Sequence, residues 1–177
     1  EAGMRVCFRI NDDKTVELVD FSAESAVGAD GKPADLEQLK QGDCIAPRLH
    51  QLLAVHLTGE GTTGVHAYKH NTGSESARFH YLEHRMEELA DGKLLTISME
   101  SEHHLHADYR MRFYEETAAV RVETTLRNDG TEAVGLEYVS SFYYGGLSKN
   151  GAGEYYEKTD LYVPYNSWSA VAQWKKD

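Results

Sequence analysis

Apolar and polar residues alternate with a period of two over most of the chain. Val6, Phe8 and Ile10 alternate with Arg5, Cys7 and Arg9, and Val16 and Leu18 alternate with Thr15 and Glu17. The turn-forming run Asn11-Asp12-Asp13 between them predicts a hairpin. Residues 52–58 predict a further strand. Residues 79–89 and 94–102 predict two more about Asp91-Gly92. In 105–114, Leu105, Ala107, Tyr109, Met111 and Phe113 form an apolar face against His106, Asp108, Arg110 and Arg112, the mark of an antiparallel strand buried on one side. Val120, Val122 and Leu126 repeat that pattern. Asn128-Asp129-Gly130 then supplies residues suited to the positive φ of a tight turn, predicting a hairpin with a returning strand over 134–143. Two stretches lack periodicity. Residues 21–47 are polar, are punctuated by Gly28, Gly31, Pro33 and Gly42, and hold one short helical pattern over 35–40. Residues 59–77 are glycine-rich, and loops of that length usually carry function or a docking surface. The predicted class is all-β and antiparallel, and strands of about ten residues favour a layered sandwich over a small barrel.

Composition narrows this picture. The chain has 177 residues, the size of one domain spanning 1–177, and 41% hydrophobic with 10% aromatic residues is enough for a core. With 18 basic against 29 acidic side chains, the net charge is −11. No Lys/Arg cluster offsets it, so neither nucleic acid nor an anionic membrane is an expected partner. The sequence has no apolar run of membrane-spanning length and no signal-peptide pattern at its start, which reads as cytoplasmic. Cys7 and Cys44 have neither zinc-site nor redox spacing, leaving two thiols or one disulfide open.

Nine histidines invite a metal reading. His104 and His106 are two apart, with Glu102 on the same strand face if the strand extends that far. That face is the polar one, beside Asp108, Arg110 and Arg112, and a solvated polar ladder explains it without a metal. His80 and His84 share a predicted face with Leu82 and read as half-buried sheet histidines. No Gly-x-Ser-x-Gly elbow is present, and Gly59-Glu60-Gly61 is followed by neither a Gly-Lys-Ser/Thr run nor a predicted helix, so nucleophilic serine and phosphate-loop chemistry have no anchor. No cofactor or metal is expected. Two segments stand out: 64–73, with His66, Lys69 and His70 in a glycine-bounded loop, and 161–174, where Tyr162, Tyr165, Trp168 and Trp174 surround Asn166 and Gln173. Aromatic faces with amides suit sugars, and they equally suit the closure of a sandwich edge.

The runs Val55-His56-Leu57-Thr58-Gly59-Glu60, His66 with Lys69, His70, Thr72 and Gly73, Leu82-Glu83-His84-Arg85, Asn128-Asp129-Gly130, Leu136-Glu137-Tyr138-Val139-Ser140-Ser141-Phe142, and Pro164-Tyr165-Asn166-Ser167-Trp168 with Gln173-Trp174 occur in that order. In this succession the chain resembles the N-terminal region of glycoside hydrolase family 36 α-galactosidases, the melibiases. The resemblance implies an antiparallel, galactose mutarotase-like β-supersandwich that precedes a catalytic (β/α)8 barrel. It implies retaining hydrolysis of terminal α-galactosides, with α-galactoside oligosaccharides as partners of the whole enzyme, by two carboxylates carried on the barrel. No βα repeat occurs in these residues, so no acidic residue here is nominated as catalytic. The resemblance further implies a homo-oligomer, with His66, Lys69, His70, Asn166 and Trp168 at a substrate rim or subunit contact. The family carries a Glu close after the Trp, where this chain has Ser169-Ala170-Val171-Ala172. Two other readings stay open: a carbohydrate-binding module using Tyr165, Trp168 and Trp174, and an epimerase-like sandwich using His66, His70 or His84 as acid and base.

Overall fold

A computed structural model describes residues 3–23, 51–60, 74–144 and 162, and the backbone of 163–167 and 170–176. Its elements are β1 (Met4–Ile10), β2 (Val16–Ala23), β3 (Val55–Leu57), a 3-10 helix (Ser74–Arg78), β4 (His80–Leu89), β5 (Gly92–Glu100), β6 (Leu105–Tyr114), β7 (Val120–Asn128), β8 (Leu136–Val139), β9 (Tyr162–Ser167) and β10 (Ala170–Lys176). Every described strand pairing is antiparallel, so the all-β reading stands. β4-β5-β6-β7 form a four-stranded meander, and β1-β2, β3-β8 and β9-β10 are two-stranded pairs. No described helix is long and apolar enough to cross a membrane. The helical pattern at 35–40 and Cys44 lie outside the described residues, while Cys7 is a free thiol.

The β1-β2 hairpin forms where expected. Its turn is closed by Asn11 N–H to the Thr15 carbonyl at 2.9 Å, with Lys14 at φ 64° and the Asp13 carboxylate accepting from the Thr15 amide and hydroxyl. The strict alternation then fails at one point. Cys7 pairs with Asp20 and Phe8 with Leu18, so Val19 is an extra residue, a β-bulge. The bulge places Phe21 rather than Asp20 on the face that Val16 and Leu18 share, and Asp20 is buried on the other face. Asp20 is then held by Arg5 at 2.5 Å and by the Ser22 hydroxyl at 3.1 Å.

The core is shared between the meander and the elements laid over it. Leu95, Ile97 and Met99 of β5 and Leu105, Ala107, Tyr109 and Met111 of β6 join Val16, Leu18, Leu52, Leu53, Val55, Leu57 and Phe79 in one buried cluster. Phe8 meets Tyr109 edge-on at 6.3 Å, and Phe21 meets Phe142 at 5.4 Å. Gly92 opens β5 at φ +150°, where a Cβ would stand 1.9 Å from the Phe113 carbonyl oxygen, so this turn needs glycine.

Three local expectations are corrected. None of Asn128, Asp129 and Gly130 has a positive φ, and the strand that follows does not return on β7. The Asn128 side chain accepts from the Gly130 amide at 2.9 Å and donates to the Glu132 carbonyl at 2.8 Å, an Asx-type turn that releases the chain to another sheet. There β8 pairs with β3, Val55 against Val139 and His56 against Tyr138. Second, His80 and His84 do not share a face. Tyr81 pairs with Met99 and Glu83 with Ser98, so Leu82 is bulged, and His84 moves to the inner face opposite Ile97 while His80 faces outward opposite Glu100. Third, His104 is not in a strand. It lies in the turn between β5 and β6 at φ 59°, exposed and 3.6 Å from Glu100, whereas His106 does occupy the polar face, 3.2 Å from Asp108.

Candidate functional site

Glu60 and Ser74, the residues that flank 61–73 in the sequence, are joined at a neck: the Ser74 hydroxyl donates to Glu60 Oε1 at 2.5 Å. A set of charges grows from that neck. The Glu60 carboxylate also accepts from the Leu57 amide at 3.4 Å and from Arg78 Nη1 at 2.9 Å. Arg78 Nη1 donates in turn to Glu75 Oε2 at 3.1 Å, and His103 Nδ1 meets the same oxygen at 2.8 Å.

The short 3-10 helix makes this geometry. With three residues per turn, Glu75 and Arg78 eclipse each other on one side, and Ser76 points elsewhere. Ser76 is inserted against β3, donating to the Val55 carbonyl at 2.9 Å and accepting from the Val55 amide at 2.8 Å, which pins the helix to the core. Glu75 is therefore drawn fully inside, at 0% exposure, while Arg78 and His103 keep contact with solvent. A buried carboxylate is tolerable only when paired, and here one oxygen meets both the Arg78 guanidinium and the His103 ring. Its other oxygen, Oε1, has no hydrogen-bond partner among the described residues. Glu75 holds the His103 ring through Nδ1, which leaves Nε2 on the opposite edge of the ring. Among the described residues no hydroxyl or thiol is bonded to that nitrogen, and no group of three or more His, Cys, Asp or Glu side chains is arranged to hold a metal ion.

Beside the neck, Ser76 and Ala77 border a cleft of about 250 Å³ with Asn11, Asp13, Thr15 and Gln51 at its polar side and Leu52, Phe79 and Met99 beneath. That is smaller than the ~300–1,000 Å³ of most ligand sites. A second polar cluster sits on the outer face of the meander. Ser98 donates to Asp108 at 2.6 Å and His106 lies 3.2 Å from the same oxygen. Partial burial opposes ionisation of Asp108, but the Ser98 and His106 hydrogen bonds, with the His106 and Arg127 charges, outweigh it and hold the carboxyl below its ordinary range.

Of the residues proposed from sequence, His66, Lys69, His70 and Trp168 lie outside the described residues. Asn166 lies in β9, beside the irregular step where pairing passes from Ala170 with Ser167 to Gln173 with Tyr165. Glu75, Arg78 and His103 were not singled out by the sequence. An acidic and a basic residue three apart is too common a signal, and His103 reaches Glu75 across 28 residues.

These elements define an all-β antiparallel protein. The chain matches no family model, and no curated protein and no solved structure matches it.

Proposed function

We propose that the chain is the N-terminal β-supersandwich of an α-galactosidase-like glycoside hydrolase. In this reading it is a structural, oligomer-building domain that borders the substrate pocket formed with a barrel, and it has no turnover of its own. One observation carries the reading. Two of the runs that give the resemblance, around His56 and around Glu137, lie 81 residues apart and are direct strand partners. Their pairing is irregular in a particular way: Glu137 is the extra residue of a bulge, and its carboxylate meets the buried His56 ring at 3.0 Å. Ser140, from the same run, accepts from the Ala54 amide at 2.8 Å. Short motifs that agreed by chance would not need to be each other's contacts. The run Leu82-Glu83-His84-Arg85 likewise contains a bulge, at Leu82.

Two measurements test it. The chain should not hydrolyse an aryl α-galactoside, and turnover by these residues alone would refute the structural role. The reading frame beyond residue 177 should continue into alternating strand and helix patterns with Asp at strand ends, and a stop codon there would overturn the family reading. Calorimetry with galactose and melibiose separates the competitor: binding at millimolar concentration or tighter, lost in Trp168→Ala, would make the chain a carbohydrate-binding module instead.

A further inference from the structure

β4 is an outer strand of the meander, with β5 on one side and no strand on the other among the described residues. Its exposure is unusual. From Leu82 to Glu88 every residue is exposed, including those that share the inner face with the core. β7, the other outer strand, keeps the alternation of a covered face. A bare strand edge is a template for another strand, and proteins normally blunt it with proline, brevity, charged side chains, bulges or a covering element. β4 has no proline and spans ten residues; its bulge, at Leu82, lies near one end, and its charges are of both signs, so they repel a partner strand in some registers and attract it in others.

Those charges are arranged with a symmetry of their own. An antiparallel partner that keeps inner face with inner face must pair residues of equal parity. With Met86 opposite its own copy, His84 faces Glu88, Arg85 faces Glu87 and Glu83 faces Leu89, and each pair occurs twice by symmetry. Sliding one copy by two residues in one direction sets Arg85 on Arg85 and Glu83 on Glu87. Sliding it the other way sets Glu87 on Glu87. The Met86-centred register has no like-charge contact and avoids the bulge at Leu82, which ends the regular edge on one side. It also removes from water the Met86 side chain, 52% exposed in the single chain. Arg85 and Glu87 already lie 3.1 Å apart along the strand on the outward face, so both are placed to reach across.

We propose that two copies of this chain associate through β4, joining two meanders into one continuous sheet about a two-fold axis at Met86. This names a seam for the oligomer-building role proposed above and rests on that part of the reading; a monomeric chain would remove both, whereas the glycoside hydrolase assignment itself is tested separately by the reading frame beyond residue 177.

The experiment is a charge swap read by analytical ultracentrifugation. Wild type should show a concentration-dependent dimer. Arg85→Glu and Glu87→Arg, each alone, turn two attractive contacts into two repulsive ones and should weaken dimerisation about tenfold or more. The double variant Arg85→Glu/Glu87→Arg restores both pairs and should recover it. Both positions are solvent-exposed, so each variant should keep the wild-type circular dichroism spectrum. In parallel, Met86→Cys should give a covalent dimer on mild oxidation, because the two Cβ atoms would stand ~4.5–5.5 Å apart, while wild type with Cys7 and Cys44 should not. A monomeric wild type, single variants that associate as wild type does, a double variant that fails to recover, or no Met86→Cys cross-link would each overturn the proposal.

Discussion

Met86 and Met111 stand in one cross-strand row of one sheet, on the same inner face, separated only by Leu95, yet exposure runs from 52% at Met86 through 7% at Leu95 to 0% at Met111. The backbone treats the two methionines alike, and what differs is cover. Tyr109 of β6 meets Phe8 edge-on and shares one buried cluster with residues of β2 and β3, whereas β4 is exposed from Leu82 to Glu88. The strand ladder therefore does not by itself say where the core is. A sheet can be regular across its width and hydrophobically anchored over only part of it.

The sharpest way to break the comparison is to truncate both methionines. Met111→Ala opens a cavity in packed surroundings and should lower the free energy of unfolding by about 3 kcal/mol, within the range for buried Met truncations. Met86→Ala should cost the folded single chain less than about 0.5 kcal/mol, measured for both variants by urea unfolding at a concentration where dimers are absent. Equal losses would mean that the edge of the meander is covered in solution.

The same contrast holds for charged groups, with a somewhat smaller expected effect. Arg78 neutralises the fully buried Glu75, and Arg85 pairs with Glu87 at the exposed edge. Removing Arg78 leaves the buried carboxylate with the His103 ring and no guanidinium, and because Arg78 is itself 36% exposed, Arg78→Ala should cost about 2–3 kcal/mol, below the ~3–5 kcal/mol of a fully buried pair. Arg85→Ala should cost no more than a few tenths, as for most surface pairs. Glu75→Gln should be milder than Arg78→Ala, because it removes the buried charge rather than isolating it. The opposite order would show that Glu75 is already uncharged in the folded protein.

Much of this was legible in the alternation of residues, and the failures have physical reasons. Leu105, Ala107, Tyr109 and Met111 are buried as their period predicts, because β6 is a central strand with one covered face. The bulges at Val19, Leu82 and Glu137 each add one residue to a strand and reverse the parity beyond it, and nothing in residue type marks them beforehand. Asn128-Asp129-Gly130 misled for a different reason: Asn favours a tight hairpin through positive φ and an Asx turn through its side chain, and the two lead the chain to different sheets. The charged neck was illegible because Glu60, Glu75, Arg78 and His103 meet only through tertiary placement of a short helix.

The smallest expected effect concerns the outward face of the central strands. The Asp108 carboxyl is held below its ordinary 3.8 chiefly by its Ser98 and His106 hydrogen bonds, against the opposing effect of burial. A group with a lowered folded-state pKa binds its proton more readily in the unfolded chain, so its contribution is fully present above the ordinary value and is lost as pH falls through the lower folded one. Stability of the wild-type protein should accordingly decline as pH drops from 5 to below 3.8. Asp108→Asn removes this carboxyl's share of that decline, so its urea midpoint should fall less steeply over the same interval while being lower than wild type at neutral pH. Glu83, in the same cross-strand row but exposed on β4, supplies the control: Glu83→Gln should leave the acid slope close to wild type. If the two variants alter the slope equally, the Ser98–Asp108–His106 cluster is no better insulated from water than the edge beside it.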